Sequence, residues 1–217
     1  MRLPVLLASI VLAAAANADE TVSTTPYATL YQVLSPVQTI GKYDRLVAIE
    51  RIESKMPDVK SADIRVVIHA KAGAIAVPVG QDGVVNFPAT NALREENPPV
   101  ETNQPKGSLA FIVNVALRGA DRLRVPWNDV EAGLEQVKAF YAESRGATAP
   151  AISGIEVHFA PGTPAMLTIE GKTERLLMAD PAGRLVVTRD MAPESEKPVL
   201  AFSRAPEFVL PYSDEKK

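Results

Sequence analysis

The chain is similar to itself when it is shifted by about one hundred residues, and this internal similarity restricts the possible folds more than any single motif does. The aligned pairs are Pro26 and Pro126, Tyr27 and Trp127, Leu34 and Leu134, Gly83 and Gly183, Glu96 and Glu196, Pro98 and Pro198, and, with a shift of one residue, Lys71 and Lys172. Solenoid repeats have much shorter periods, of roughly 20–50 residues. The similarity therefore predicts two tandem modules of one plan.

Each predicted module begins with a helix. In the first module, Thr25-Pro26 precedes apolar residues at helical spacing, and Pro36 is expected to end the helix. In the second module, Asn128 and Glu131 form a capping-box pattern before an amphipathic segment. Trp127, the only tryptophan, aligns with Tyr27, which favours a core position for its ring over a ligand contact.

Strand patterns follow each helix. We expect strands at about 46–52, 64–70, 75–79, 84–87 and 109–117 in the first module, and at about 154–159, 165–170, 174–179, 184–188 and 199–202 in the second. The segment from Leu109 to Val113 is apolar at every position, which is typical of a strand buried on both faces, and Asn114 would then need internal hydrogen-bond partners. The predicted fold class is α+β: two tandem repeats, each one helix followed by a mostly antiparallel four- to five-stranded sheet.

The N-terminus has the pattern of a secretory signal peptide. Arg2 supplies a positive charge, the segment from Leu3 to Ala16 is apolar, and the small residues Ala16 and Ala18 precede Asp19. This segment is shorter than the roughly 20 residues that span a bilayer. We expect cleavage after Ala18, a periplasmic or secreted protein, and no stable membrane anchor afterwards. The predicted domains are 1–18 as signal peptide, 19–120 as first repeat and 121–217 as second repeat.

Composition excludes several classes of function. The 217 residues include 23 Lys and Arg against 26 Asp and Glu, a formal net charge of −3, so the basic excess that nucleic-acid binding needs is absent. The chain has no cysteine, which excludes disulfides, thiolate metal sites and thiol catalysis. An exported chain of this composition must be stabilised by its apolar core.

Two histidines limit the possible imidazole chemistry to His69 and His158. Strand alternation places Glu156 and His158 together on a polar strand face, where Glu156 could orient the ring or bind a metal. Metal-ligand spacing is absent, so solvated side chains on two strands are the favoured interpretation. We predict no catalytic residue, no metal ligand and no cofactor.

The segment from Arg94 to Gly107 is polar, rich in proline and long for a connection within a compact domain. A surface crossover whose prolines block edge pairing is the simpler interpretation. Its stiffness would also reduce the entropic cost of presenting side chains to a partner. The candidate ligand- or partner-binding residues are Asn97, Asn103, Gln104 and Lys106.

Four short motifs occur in order: Asp82-Gly83, Phe87-Pro88, Glu96-Asn97-Pro98 and Asn103-Gln104-Pro105-Lys106-Gly107. In this order they resemble exported bacterial proteins assigned to domains of unknown function. The resemblance covers the first half more clearly than the second. It implies export and no catalytic residues.

The sequence thus favours an exported, non-catalytic binding protein whose partner is an envelope protein or a small ligand, for instance one held between the repeats. One alternative is a cofactor-free or metal-assisted hydrolase that uses His69 or His158. The other alternative is a purely structural envelope module. No nucleic acid is expected as a partner.

Overall fold

The computed structural model describes residues 7–10, 22–145 and 151–214, and its contacts divide the chain into two compact units. The N-terminal unit contains the described residues up to Thr39 and the segment Ala48–Asn114. The C-terminal unit contains Ile40–Val47 and the described residues from Val115 onward. The short segment Ile40–Val47 therefore belongs with the second half of the sequence.

The first half of the chain forms two sheets. Its strands are β1 (Leu7–Ile10), β2 (Ser23–Pro26), β3 (Leu46–Ser54), β4 (Val66–Ala70), β5 (Gly73–Val77), β6 (Val84–Val85), β7 (Pro99–Thr102) and β8 (Leu109–Leu117). One sheet has the order β2-β7-β4-β5 and the other β1-β8-β3-β6. The helices are α1 (Tyr27–Leu34) and α2 (Asn91–Glu96), and 3₁₀ segments span Ser35–Lys42 and Ser61–Asp63.

The second half has the same plan. Its elements are β9 (Arg124–Pro126), α3 (Trp127–Arg145), β10 (Gly154–His158), β11 (Met166–Glu170), β12 (Arg175–Met178), β13 (Arg184–Thr188), a 3₁₀ turn at Glu194–Glu196, β14 (Val199–Phe202) and β15 (Phe208–Tyr212). The sheets have the orders β9-β14-β11-β12 and β13-β10-β15. All strand pairs of the second half are antiparallel, as are those of the sheet β2-β7-β4-β5 and the pairs β1–β8 and β3–β6.

The strand orders of the two halves match element by element. The order β2-β7-β4-β5 corresponds to β9-β14-β11-β12, and β8-β3-β6 corresponds to β15-β10-β13. The aligned prolines also make one bond: the Tyr27 N–H donates to the Pro98 carbonyl at 3.0 Å, and the Trp127 N–H to the Pro198 carbonyl at 2.9 Å. The predicted α+β fold of two tandem repeats is confirmed, with the strands of each repeat divided between two sheets.

Both repeat helices begin at an aromatic residue that follows a proline. Tyr27 and Trp127 are 0% and 1% exposed, which confirms the core position expected for the tryptophan. The second helix begins one residue before the predicted cap, Asn128. Past Leu34 the first helix continues as a 3₁₀ segment through Pro36, which lacks the N–H that a longer α-helix would need.

Strand β8 is buried on both faces only in its second part. The expectation of two-sided burial is wrong for the apolar run from Leu109 to Val113, because Leu109, Ala110 and Ile112 are partly exposed. Its residues Val113 to Leu117 are all buried, and Asn114 is 8% exposed. The Asn114 side-chain oxygen makes no hydrogen bond with the described part of the chain. This strand therefore carries an uncompensated polar group inside an apolar environment.

The segment from Arg94 to Gly107 is not the surface loop that its prolines suggest. It contains the end of α2, a turn at Asn97, and strand β7, which lies between β2 and β4. Pro99 occupies the end of β7, opposite Pro26. An inner strand accepts proline at its end because the missing N–H costs only the last ladder bond.

Among the described residues, no helix is both long enough and apolar enough to cross a bilayer.

Candidate functional site

The structure assigns a structural contact to Asn97. This residue has a left-handed conformation with a φ of 50°, and it ends α2. Its side-chain oxygen accepts the N–H of Ala28 at 2.8 Å. That N–H lies in the first turn of α1, where main-chain donors have no partner within the helix. Asn97 therefore caps one helix while it terminates another.

Asn103 joins the end of β7 to the residues before β4. Its side-chain oxygen accepts the N–H of Arg65 at 2.7 Å, and its amide donates to the carbonyl of Asp63 at 2.8 Å. The main-chain N–H of Asn103 donates back to the Arg65 carbonyl at 3.3 Å. Both ends of the side-chain amide are thus occupied within the protein.

Gln104 is 8% exposed and follows the same turn. Its carbonyl accepts hydrogen bonds from the hydroxyls of Ser23, at 2.8 Å, and Thr102, at 3.3 Å. These two hydroxyls are 3.2 Å apart. The result is a small hydroxyl cluster that joins β2 to the end of β7.

Lys106, the fourth predicted residue, lies at an apolar cleft of the N-terminal unit. The cleft is a cavity of about 70 Å³. Its apolar walls include Leu30, Ile52, Val66, Phe87, Leu109 and Phe111. Its polar lining includes Ser23, Thr25, Thr102 and Lys106. One water needs roughly 10–15 Å³, so the cleft has room for a small apolar group.

The Lys106 side chain is exposed and makes no ion pair or hydrogen bond with the residues that the structure describes. The Gly107 carbonyl, next to Lys106 in the chain, accepts a hydrogen bond from the ammonium group of Lys55 at 3.0 Å, and this bond holds the turn in place. A fixed turn therefore places a free cation beside an apolar cavity. Of the four predicted site residues, Lys106 alone combines this exposure with the cleft.

Glu50 was not among the predicted site residues, although it lies beside the cleft. Its carboxylate accepts the N–H of Phe87, a cleft residue, at 2.8 Å. Burial raises the pKa of Glu50, and the hydrogen bond from Phe87 opposes that shift only in part. In the second repeat this position is Val157, since Glu50 is opposite Val85 as Val157 is opposite Leu185. The first repeat thus carries a carboxyl group at a core position.

Tyr27 lies on the same side of the first repeat. Its hydroxyl donates to the Pro88 carbonyl at 2.5 Å and accepts the Thr90 N–H at 3.2 Å. Burial raises the pKa of Tyr27, so the phenol stays neutral at physiological pH. Its ring stacks on Phe87 at a centroid distance of 5.7 Å. This packing fixes one wall of the cleft.

Each histidine lies near one carboxylate. His69 Nε2 is 3.2 Å from Glu101 Oε2, with both side chains 43% exposed. His158 Nε2 is 3.0 Å from Glu156 Oε1, and its ring stacks on Phe208 with a centroid distance of 4.5 Å. The expectation of two solvated histidines holds for His69 and is wrong for His158, whose side chain is only 18% exposed. Its neighbour Glu156 is buried, at 6% exposure.

Within the described residues, no group of three or more His, Asp or Glu side chains could hold a metal ion. No family model matches this chain, and no significantly similar protein was found among curated sequences or solved structures.

Proposed function

We propose that this chain is an exported binding protein whose first repeat holds the apolar part of a small amphipathic ligand. The cleft accepts the apolar part, and Lys106 pairs with an anionic group such as a carboxylate. The observation that carries the proposal is the combination of a 70 Å³ apolar cavity with an exposed ammonium on its lining that has no partner among the described residues. Ligand sites typically combine apolar walls with a few placed polar groups in this way.

Export rests on the signal-peptide pattern of 1–18 and the expected cleavage after Ala18. Strand β1 falls within that segment and pairs with β8. The corresponding sheet of the second repeat has three strands, so β1 lies outside the shared plan. Under this proposal β1 belongs to the precursor alone. The mass of the protein purified from the envelope fraction tests cleavage, and a chain that retains residues 1–18 would contradict it.

Octanoate and octanol are suitable probes for the cleft, because they share an apolar chain and differ in charge. Isothermal titration should show that octanoate binds more tightly than octanol. Lys106→Gln should weaken octanoate binding about two- to fivefold, the range for an exposed ion pair, and leave octanol binding unchanged. Lys71→Gln, at an exposed lysine outside the cleft lining, is the matched control.

A second variant tests the cavity itself. Leu109→Trp adds volume at the cleft wall and should abolish binding of both probes, provided that thermal unfolding shows a folded protein. Equal affinities for the two probes, or a Lys106→Gln variant that binds octanoate like the parent, would contradict the ionic contact. Failure of a folded parent protein to bind either probe would favour the structural-module alternative.

A further inference from the structure

The hairpin β11–β12 of the second repeat exposes three large apolar side chains. Met166 is opposite Met178 in the antiparallel register, and Leu176 is two residues from Met178. Directly opposed residues, and residues two apart on a strand, point to the same face of a sheet. Met166, Leu176 and Met178 are 41%, 61% and 70% exposed, respectively. They form one patch, which we call the methionine patch.

The first repeat builds the same hairpin without this patch. Leu167 pairs with Leu177 as Val66 pairs with Val77, which fixes the correspondence of the two hairpins. Counting from these pairs, the positions of Met166, Leu176 and Met178 are occupied by Arg65, Ala76 and Pro78. The fold therefore does not require apolar residues on this face, and their presence in the second repeat needs another cause.

Strand β12 is also the outermost strand of its sheet. The Ala179 N–H donates inward, to the Ala165 carbonyl, at 3.0 Å. Because the direction of main-chain groups alternates along a strand, Leu176 and Met178 direct theirs away from β11. In the first repeat the position of Met178 is Pro78, which has no N–H and protects a sheet edge from further pairing. The edge of β12 lacks this protection.

We propose that β12 pairs antiparallel with β12 of a second copy of this chain, joining two four-stranded sheets into one. A two-fold axis perpendicular to the sheet keeps each methionine patch on the same face as its copy, so the apolar surfaces become continuous. Main-chain hydrogen bonds supply the affinity of such a strand addition, and the matching side-chain rows supply its specificity.

Charge selects the register of this pairing. When Leu176 is opposite Leu176 of the second copy, Arg175 is opposite Leu177 and Glu174 is opposite Met178, so no like charges are opposed. When Leu176 is instead opposite Met178, Glu174 is opposite Asp180, and like charges directly opposed are destabilising. The first register is therefore the one that the sequence of β12 and its flanks favours.

Sedimentation equilibrium of the purified protein over micromolar to millimolar concentrations tests the proposal. We expect a concentration-dependent dimer. Leu176→Asp should raise its dissociation constant at least tenfold, whereas Ala76→Asp, at the corresponding position of the first repeat, should leave it unchanged. A parent protein that is monomeric throughout, or an Ala76→Asp variant that dissociates as readily as Leu176→Asp, would overturn the proposal.

Since the chain contains no cysteine, a single introduced cysteine reports the register directly. Opposed Cα atoms in a hydrogen-bonded antiparallel pair are about 5.5 Å apart, within the range for a disulfide. Leu176→Cys should therefore form a covalent dimer on mild oxidation, and Met178→Cys and Ala76→Cys should not. A dimer in which Leu176→Cys fails to cross-link would overturn the proposed pairing.

Discussion

Glu96 and Glu196 make the same hydrogen bond in the two repeats. The Glu96 carboxylate accepts the N–H of Lys71 at 2.5 Å, and the Glu196 carboxylate accepts the N–H of Lys172 at 3.0 Å. Both donors lie in the turn of an edge hairpin, β4–β5 or β11–β12. Each carboxylate thus fixes a hairpin turn to the segment that precedes the next inner strand.

Replacing either glutamate with alanine should destabilise the protein by about 1 kcal/mol, the usual net value of a hydrogen bond. Urea unfolding of Glu96→Ala and Glu196→Ala measures the two losses, which should be similar in size. Glutamine keeps an acceptor oxygen, so Glu96→Gln should cost less than Glu96→Ala. If the two alanine variants lose different amounts of stability, the equivalent hydrogen bonds of Glu96 and Glu196 do not stabilise the two repeats equally.

Asn97 and Lys197 share a left-handed conformation but differ in their contacts. Their φ angles are 50° and 48°, and each precedes the proline that accepts from a helix N-terminus. Asn97 also caps α1 through Ala28, whereas a lysine side chain has no acceptor for such a bond. Glycine relieves the left-handed strain, which costs roughly 1–2 kcal/mol for other residues.

Asn97→Gly should therefore lower the free energy of unfolding by about 1 kcal/mol, because asparagine tolerates the left-handed region and the cap is lost. Lys197→Gly should raise it, by up to about 1 kcal/mol, since strain is removed and no cap is lost. Chemical denaturation of both variants checks the opposite signs. A stabilised Asn97→Gly variant would mean that the bond to Ala28 contributes nothing.

The repeat could be predicted from sequence because turn residues and apolar positions recur in order. The inner strand β7 could not, since Pro98 and Pro99 indicate a loop, and only the pairing with β2 shows that Pro99 sits where a donor is dispensable. Helix α2 is also missed, because its six residues have too little periodicity. It begins where the Thr90 hydroxyl accepts the Leu93 N–H.

The candidate site was predicted only in part, for a related reason. Lys106 stood out in a polar segment, yet the cleft beside it is lined by residues from several strands and a helix that are distant in sequence. A cavity forms where the side chains of two packed sheets leave space between them, and no local sequence pattern predicts such a space. Asn97 and Asn103 looked like presented side chains, although their hydrogen bonds hold the fold together.

Gly83 and Gly183 turn the hairpins that lead into β6 and β13, with φ angles of 83° and 77°. A Cβ atom at Gly83 would lie 2.6 Å from the Ile52 carbonyl oxygen, and one at Gly183 would lie 2.3 Å from that of Phe159. Alanine at either position therefore adds a backbone clash to the left-handed strain. Gly83→Ala and Gly183→Ala should each cost more than about 2 kcal/mol.

A variant of Gly162 distinguishes the left-handed strain from the backbone clash. The φ of Gly162 is 71°, yet a Cβ atom there would meet nothing within 4 Å. Gly162→Ala should cost roughly 1–2 kcal/mol, from strain alone. Thermal unfolding of the three variants gives their order. If Gly162→Ala is as destabilising as Gly183→Ala, the close approach of a Cβ atom to the Phe159 carbonyl does not affect the free energy of unfolding.

Glu50 should make folding stability depend on pH in an unusual direction for a carboxylate. Its pKa is raised in the folded protein by burial, so the folded state holds this proton to a higher pH than the unfolded state does. The contribution of Glu50 to the free energy of unfolding is fully present below the ordinary carboxyl pKa of about 4.3. This contribution is lost as the pH rises through the raised pKa of Glu50 in the folded protein. Ionised Glu50 therefore destabilises the protein at neutral pH.

Glu50→Gln removes that charge and keeps an oxygen that can accept the Phe87 N–H. We expect the variant to be more stable than the parent at pH 7, with the difference shrinking toward pH 4. Glu50→Val, which introduces the residue of the second repeat, should be less stable than Glu50→Gln, because the Phe87 N–H then loses its partner. Glu95→Gln, at an exposed carboxylate that makes no ion pair within the described residues, is the control for removing a carboxylate as such. Thermal unfolding from pH 4 to 8 measures the stability of all three variants. If the difference in stability between Glu50→Gln and the parent is constant over this range, Glu50 ionises as freely in the folded chain as in the unfolded chain.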